Sequence, residues 1–182
     1  LRLVLVSGVL ISLYLFFTSE YSNLLDAFRF GMFNTISVAT TTGFSNVDYL
    51  QWPLILPIVM LLLGACATSS GSTVGGIKMI RRILVIKQIR TEIRHILHPH
   101  AVFPVRLGAR IIDQSVIMSI MVFMLVYALT LMALSAVMLL SGAEPTTAFS
   151  AVFASLNNIG PGLGSVGPMG NYSALSDFQI WL

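Results

Sequence analysis

The chain has 182 residues, of which 56% are hydrophobic and only 9% charged, with a formal net charge of +3 and a mean hydropathy of +0.89. A soluble domain carries roughly 25% charged residues, so the composition argues against a soluble enzyme or nucleic-acid-binding module and implies a membrane protein. A single cysteine, Cys66, leaves no disulfide framework and no thiolate metal cluster to build.

Uncharged runs cover residues 3–19, 49–77, 114–143 and 145–176, and a crossing takes about 20 mainly apolar residues. Residues 1–17 predict an outward-going helix that ends at "TSEYSN", where Ser22 or Asn23 can cap a new start. The chain opens directly inside this apolar helix and closes in "FQIWL", so it is expected to be part of a longer protein; no signal peptide is recognisable. Next, "LLDAFRFGMFNTISV" is helical but too short and polar to cross, a half-helix whose Asp26 and Arg29 stand three apart and are expected to pair. "ATTTGFSNVDY" has no apolar period and predicts irregular chain, after which "QWPLILPIVMLLLGACA" resumes a membrane helix with Trp52 at the interface.

That helix runs into "TSSGSTVGG", rich in helix-weakening residues yet lying before the first cytoplasmic charge, Lys78. A break inside the membrane is expected there. The alternative is close helix packing through the Gly71/Gly75 spacing. A phosphate loop is not met, because the required GK[ST] is absent. Lys78, Arg81, Arg82, Lys87, Arg90, Arg94, Arg106 and Arg110 then fall in one stretch opposed only by Glu92 and Asp113. By the positive-inside rule this stretch faces the cytoplasm, with docking of a partner or anionic lipid as an added possibility. His95, His98 and His100 sit in a turn broken by Pro99 with no carboxylate or Cys beside them, a solvated turn rather than a metal site.

The pattern then repeats. Residues 115–140 form a long apolar helix, "SGAEPTTAFSAVFASLN" a second half-helix entered through Glu144 and Pro145, and "NIGPGLGSVGPMGN" a second Gly-rich loop before a further crossing begins at Leu175. Gly43 and Gly160 take equivalent places, although "GPGLG" leaves Gly162 open as an alternative register. Unpaired backbone groups cost several kcal/mol each in hydrocarbon, so irregular chain survives at membrane depth only inside protein or against water. Two such loops imply an aqueous or ionic axis. A half-helix C-terminus aimed at it favours a cation, and loop carbonyls can replace a cation's hydration shell.

The motifs "ATTTGFS", "GACATSSGSTVGGIK" and "NNIGPGLG", in this order, resemble the Trk/Ktr/HKT superfamily of potassium transporters, nearest its bacterial TrkH/TrkG group, over essentially the whole chain as the last two of four helix, pore-loop, helix repeats. The resemblance implies that Thr41, Thr42, Gly43 and Phe44 form one wall of an ion filter and Asn158, Ile159, Gly160 and Pro161 a second. In this family glycine at the key position goes with potassium selectivity and serine in one repeat with sodium. It further implies an intramembrane gating loop, here Thr68, Ser69, Ser70, Gly71, Ser72, Thr73, Val74, Gly75 and Gly76, with Gly64 adding flexibility.

The expectation is therefore an all-α membrane protein of two helix, re-entrant loop, helix repeats: residues 1–97 a third-type repeat, 98–113 a cytoplasmic linker, 114–182 a fourth-type repeat truncated in its last helix. Its function is expected to be potassium uptake across the bacterial inner membrane, with potassium as the transported ion and no cofactor in this chain. By resemblance its partners are an N-terminal half with the first two repeats, a second copy in a homodimer, and a cytoplasmic ring subunit that carries the nucleotide. The stretch from 78 to 110 is a candidate for contact with that ring. The alternative is a secondary transporter with broken helices, which would more often show an intramembrane ionisable residue for coupling. A structural scaffold would not explain two equivalent polar loops, and no Ser, His and Asp set or HExxH motif supports an enzyme. The "NYS" sequon at Asn171 matters only in a glycosylating compartment.

Overall fold

The computed structural model describes residues 2–66, 75–98 and 103–182. Among the described residues the regular elements are helices and one small hairpin: α1 (Arg2–Phe17), α2 (Leu24–Ala39), α3 (Ile55–Cys66), α4 (Met79–Leu97), β1 (Arg106–Leu107), β2 (Arg110–Ile111), α5 (Gln114–Leu140), α6 (Pro145–Asn157) and α7 (Asp177–Trp181). The fold is mostly helical, as expected, with a small hairpin added at residues 106–111. There Gly108 takes φ +61° at the first central position of a two-residue turn, a geometry that closes a hairpin with the right twist.

Among the described residues α5, with 27 residues, is the helix long and apolar enough to cross a membrane, while α1 and α3 are shorter apolar helices. At 1.5 Å per residue α5 is about 40 Å long. Much of its surface is uncovered, with Val122, Leu125, Leu129 and Met132 all more than half exposed. Such a surface suits lipid rather than water.

α1 lies along α2, and small residues allow the close approach. A Cβ on Gly31 would come within 2.5 Å of Ser12 Oγ and 3.0 Å of Ser12 Cα. Ser12 in turn donates to the Gly8 carbonyl at 2.8 Å, which satisfies a buried hydroxyl within its own helix. The main core joins α1, α2, α3 and α6 through Leu15, Val38, Leu56, Met60, Phe153 and Ile159. A second cluster packs Met138 of α5 against Ala148, Ala151 and Val152 of α6, and a third packs Leu84 of α4 against Val105 and Ile117.

Three local sites bear on the expectations. Trp52 is buried, donating its indole N–H to Tyr21 Oη at 3.3 Å. An indole N–H taken out of water needs such a partner. Asp26 accepts from Asn23 Nδ2 at 3.3 Å and the Arg29 guanidinium lies 5.9 Å from the Phe30 ring centroid, so among the described residues the two charges find separate neighbours rather than each other. Gly64 lies within α3 at a packing contact: a Cβ there would meet Ile159 Cδ1 at 2.6 Å and the Val38 carbonyl at 3.0 Å. Its lack of a side chain allows this close approach.

Candidate functional site

The short helices α2 and α6 end in the same way. Thr41 N–H donates to the Val38 carbonyl at 3.0 Å and Thr42 N–H to the Ser37 carbonyl at 2.9 Å; Asn158 N–H donates to Ser155 at 3.1 Å and Ile159 N–H to Ala154 at 2.9 Å. This pair of bonds, one reaching back three residues and one five, is the Schellman ending, which requires a left-handed residue just past the helix. Thr41 at φ +55° and Asn158 at φ +52° supply it. Two residues on, Gly43 has φ +80° and Gly160 φ +99°. The match pairs Thr41 with Asn158 and Gly43 with Gly160. Gly162 is placed differently, its Cα side closed off by Val166 and Ser150.

The two loops also touch. A Cβ on Gly43 would lie 2.9 Å from the Ile159 carbonyl oxygen, and one on Gly160 would lie 3.5 Å from Gly43 Cα. Ser45 Oγ donates to the Pro168 carbonyl at 3.2 Å, a second tie between the loops. Of the eight residues assigned to the filter, the structure thus brings Gly43 against Ile159, Gly160 and Pro161, while Phe44 is turned outward at 71% exposure.

Each loop is anchored to its own half-helix by buried polar side chains that the sequence reading did not single out. Ser150 accepts from Leu163 N–H at 2.8 Å and donates to the Leu163 carbonyl at 3.1 Å, gripping both polar groups of one loop residue. Thr147 accepts from Ser165 N–H at 3.1 Å. In the first unit Asn34 donates to Asn46 Oδ1 at 2.7 Å and to the Phe30 carbonyl at 2.8 Å. The signal available was a polar residue at helical spacing on an otherwise apolar face, Thr147, Ser150 and Asn157 in α6 and Asn34 with Ser37 in α2.

Beneath the loops, Asn157 is fully buried and donates to Tyr127 Oη at 2.8 Å and to the Phe153 carbonyl at 2.7 Å, while its Oδ1 has no hydrogen-bond partner among the described residues. Gly76, at φ +81°, faces that oxygen so closely that a Cβ would collide with it, and a Cβ on Gly75 would sit 3.0 Å from the Leu156 carbonyl. Of the nine residues assigned to a gate, Gly75 and Gly76 therefore abut the end of α6, and Thr68, Ser69, Ser70, Gly71, Ser72, Thr73 and Val74 lie outside the described residues. Tyr49 is held above the usual phenol range, first by burial and then by Asp48 and Tyr172 nearby, and stays protonated. Among the described residues no cluster of His, Cys, Asp or Glu is arranged to hold a metal.

Within the basic stretch, Arg81 lies over the Phe123 ring at 4.0 Å, and Lys87 Nζ donates to the Arg106 carbonyl at 2.5 Å. Part of the basic stretch thus works internally, joining α4 to α5 and to the hairpin.

Comparison with known proteins gives a consistent picture. The family model described as "TrkH: Cation transport protein" matches residues 18–177. The chain is 35% identical over 177 residues to the Trk system potassium uptake protein TrkH of Escherichia coli strain K12, an alignment that covers 96% of this chain and 36% of the relative. To the protein of the same name from Vibrio parahaemolyticus it is 39% identical over 150 residues, covering 81% of this chain and 30% of the relative. It is 32% identical over 139 residues to the Trk system potassium uptake protein TrkG of Escherichia coli K12, covering 76% and 29%. The crystal structure of the potassium transporter TrkH from Vibrio parahaemolyticus superposes with a TM-score of 0.89 at 33% identity, covering 98% of this chain and 38% of that one. The chain spans about a third of the length of these relatives.

Proposed function

The chain belongs to the TrkH family of cation transport proteins, a family of transporters and not of enzymes, and on that premise we propose that it forms two of the four walls of a potassium-uptake pore. The observation that carries this reading is the repeated, touching pair of loops, each with a left-handed residue two positions before a left-handed glycine. A row of loop carbonyls can stand in for the water around a potassium ion. Each loop follows a helix C-terminus, whose partial negative charge attracts a cation. Thr41, Thr42, Gly43 and Phe44 form one wall, and Asn158, Ile159, Gly160 and Pro161 the other. Phe44, being exposed, contributes its backbone.

Residues 68–76 are the gate by resemblance. The contact of Gly75 and Gly76 with the end of α6 supports a position just below the filter. Residues 1–97 and 114–182 are then two successive repeats joined by the linker 98–113. The relatives' printed role in potassium uptake supports potassium as the cargo. The remaining walls come from an N-terminal half, and the whole works in the bacterial inner membrane as a homodimer on a nucleotide-binding cytoplasmic ring, toward which the exposed part of the basic helix α4 is turned.

The test is potassium, rubidium and sodium flux through the full-length protein in liposomes. Gly43→Ser is expected to lower the preference for potassium over sodium by roughly tenfold, equivalent to about 1.4 kcal/mol. Deletion of residues 71–73 is expected to raise flux with that preference kept. Wild-type transport by both variants would mean that the loops are connectors.

A further inference from the structure

Beside the second loop the structure has a feature with no counterpart at the first. Tyr172 follows the Gly-rich loop, in a single 3-10 turn capped by Asn171, whose Oδ1 accepts from Ser173 N–H at 3.2 Å. The ring packs against the cluster of Met138, Ala151 and Val152. Its hydroxyl donates to the carbonyl oxygen of Gly160 at 2.7 Å. Hydroxyl, carbonyl, Ser155 and Asn158 together line one open cleft of about 390 Å³. Among the described residues no side chain donates to the carbonyl of Gly43, the partner glycine. The two otherwise equivalent loops differ at this oxygen.

We propose that Tyr172 is a positioning residue for ion selectivity, its hydroxyl holding the Gly160 carbonyl and weakening the field that this oxygen presents to a cation. The proposal rests on the filter reading above. A carbonyl oxygen has two lone pairs. A donor on one of them fixes the orientation of the other and draws electron density from it. Small cations hold water more tightly than large ones, so replacing that water by a weakened carbonyl costs sodium more than potassium. The bond therefore tilts the site toward the larger ion.

The experiment compares wild type, Tyr172→Phe, Tyr172→Leu and Gly160→Ser in the full-length protein reconstituted in liposomes, reading the potassium-to-sodium flux ratio and the thermal midpoint. Tyr172→Phe keeps the ring against α5 and α6 and removes only the donor. It is expected to lower the flux ratio about three- to tenfold, the scale of one hydrogen bond, with the midpoint unchanged and maximal potassium flux kept. Tyr172→Leu is expected to lower both ratio and midpoint. If Gly160→Ser alters the ratio and Tyr172→Phe does not, the filter stands and the role of Tyr172 is overturned. If Tyr172→Phe lowers midpoint and maximal flux together, the tyrosine is a packing residue and the proposal fails. An unchanged ratio in Gly160→Ser overturns the filter reading and this proposal with it.

Discussion

Thr41 is a β-branched residue held at φ +55°, a region where such side chains meet the backbone and pay about 1–3 kcal/mol in strain. The equivalent position of the second loop carries Asn158 at φ +52°, a residue that tolerates this conformation well. The half-buried Thr41 side chain makes no hydrogen bond among the described residues to offset the strain. Thr41→Asn is therefore expected to stabilise the protein by about 1 kcal/mol, seen as a higher thermal midpoint of the purified full-length protein. A lower midpoint would show that the threonine methyl is packed more favourably than its backbone is strained. Selectivity is the second readout. Strain retained for a functional reason predicts that the stabilised variant discriminates less well between potassium and sodium.

At the scale of elements, the half-helix α6 and its loop are held by Ser150, which satisfies both backbone groups of Leu163. Removing the hydroxyl in Ser150→Ala leaves the part-buried N–H and C=O of Leu163 without this partner, at about 1–3 kcal/mol in all. Amide exchange at Leu163 is expected to accelerate by about tenfold, since tenfold corresponds to about 1.4 kcal/mol, while exchange in α1 stays as in wild type. Unaltered protection at Leu163 would mean that the loop is held by something other than this clamp. The half-helices and both loops were legible because polarity and the loss of apolar period mark them directly, at "ATTTGFS" and "NNIGPGLG". The long helix α5 was legible from length and hydropathy alone. What was not legible depends on contacts far apart in sequence. Ser150 looks like an ordinary small helix residue until Leu163 folds back onto it. The hydrogen bond of Trp52 to Tyr21 and the packing of Ile159 on Gly64 likewise join residues far apart in the sequence. The hairpin at residues 106–111 rests on one glycine conformation in a linker too short to show a strand period.

For the whole molecule, the decisive feature is that the two units meet through their loops and through the ends of their half-helices. Ile159, from the second loop, sits in the core formed mainly by the first unit, against Val38 and Gly64. Gly43 and Gly160 face each other, but the space beside them is unequal. A methyl on Gly43 would press the Ile159 carbonyl at 2.9 Å, whereas one on Gly160 would reach Gly43 Cα at an ordinary 3.5 Å. Both positions have left-handed φ, so alanine is strained at each by about 1–2 kcal/mol. Only Gly43→Ala adds a backbone clash with the other loop. Gly43→Ala is thus expected to harm potassium preference more than Gly160→Ala. Residues in direct contact couple by about 0.5–3 kcal/mol rather than adding, so the double variant should depart from the sum of the singles by at least that lower bound in the logarithm of the flux ratio. Two independent loops predict strict additivity instead. A measured sum would separate the units functionally even though they touch, whereas on the proposed filter a path shared by both loops makes the displacement of one carbonyl alter the site seen by the other.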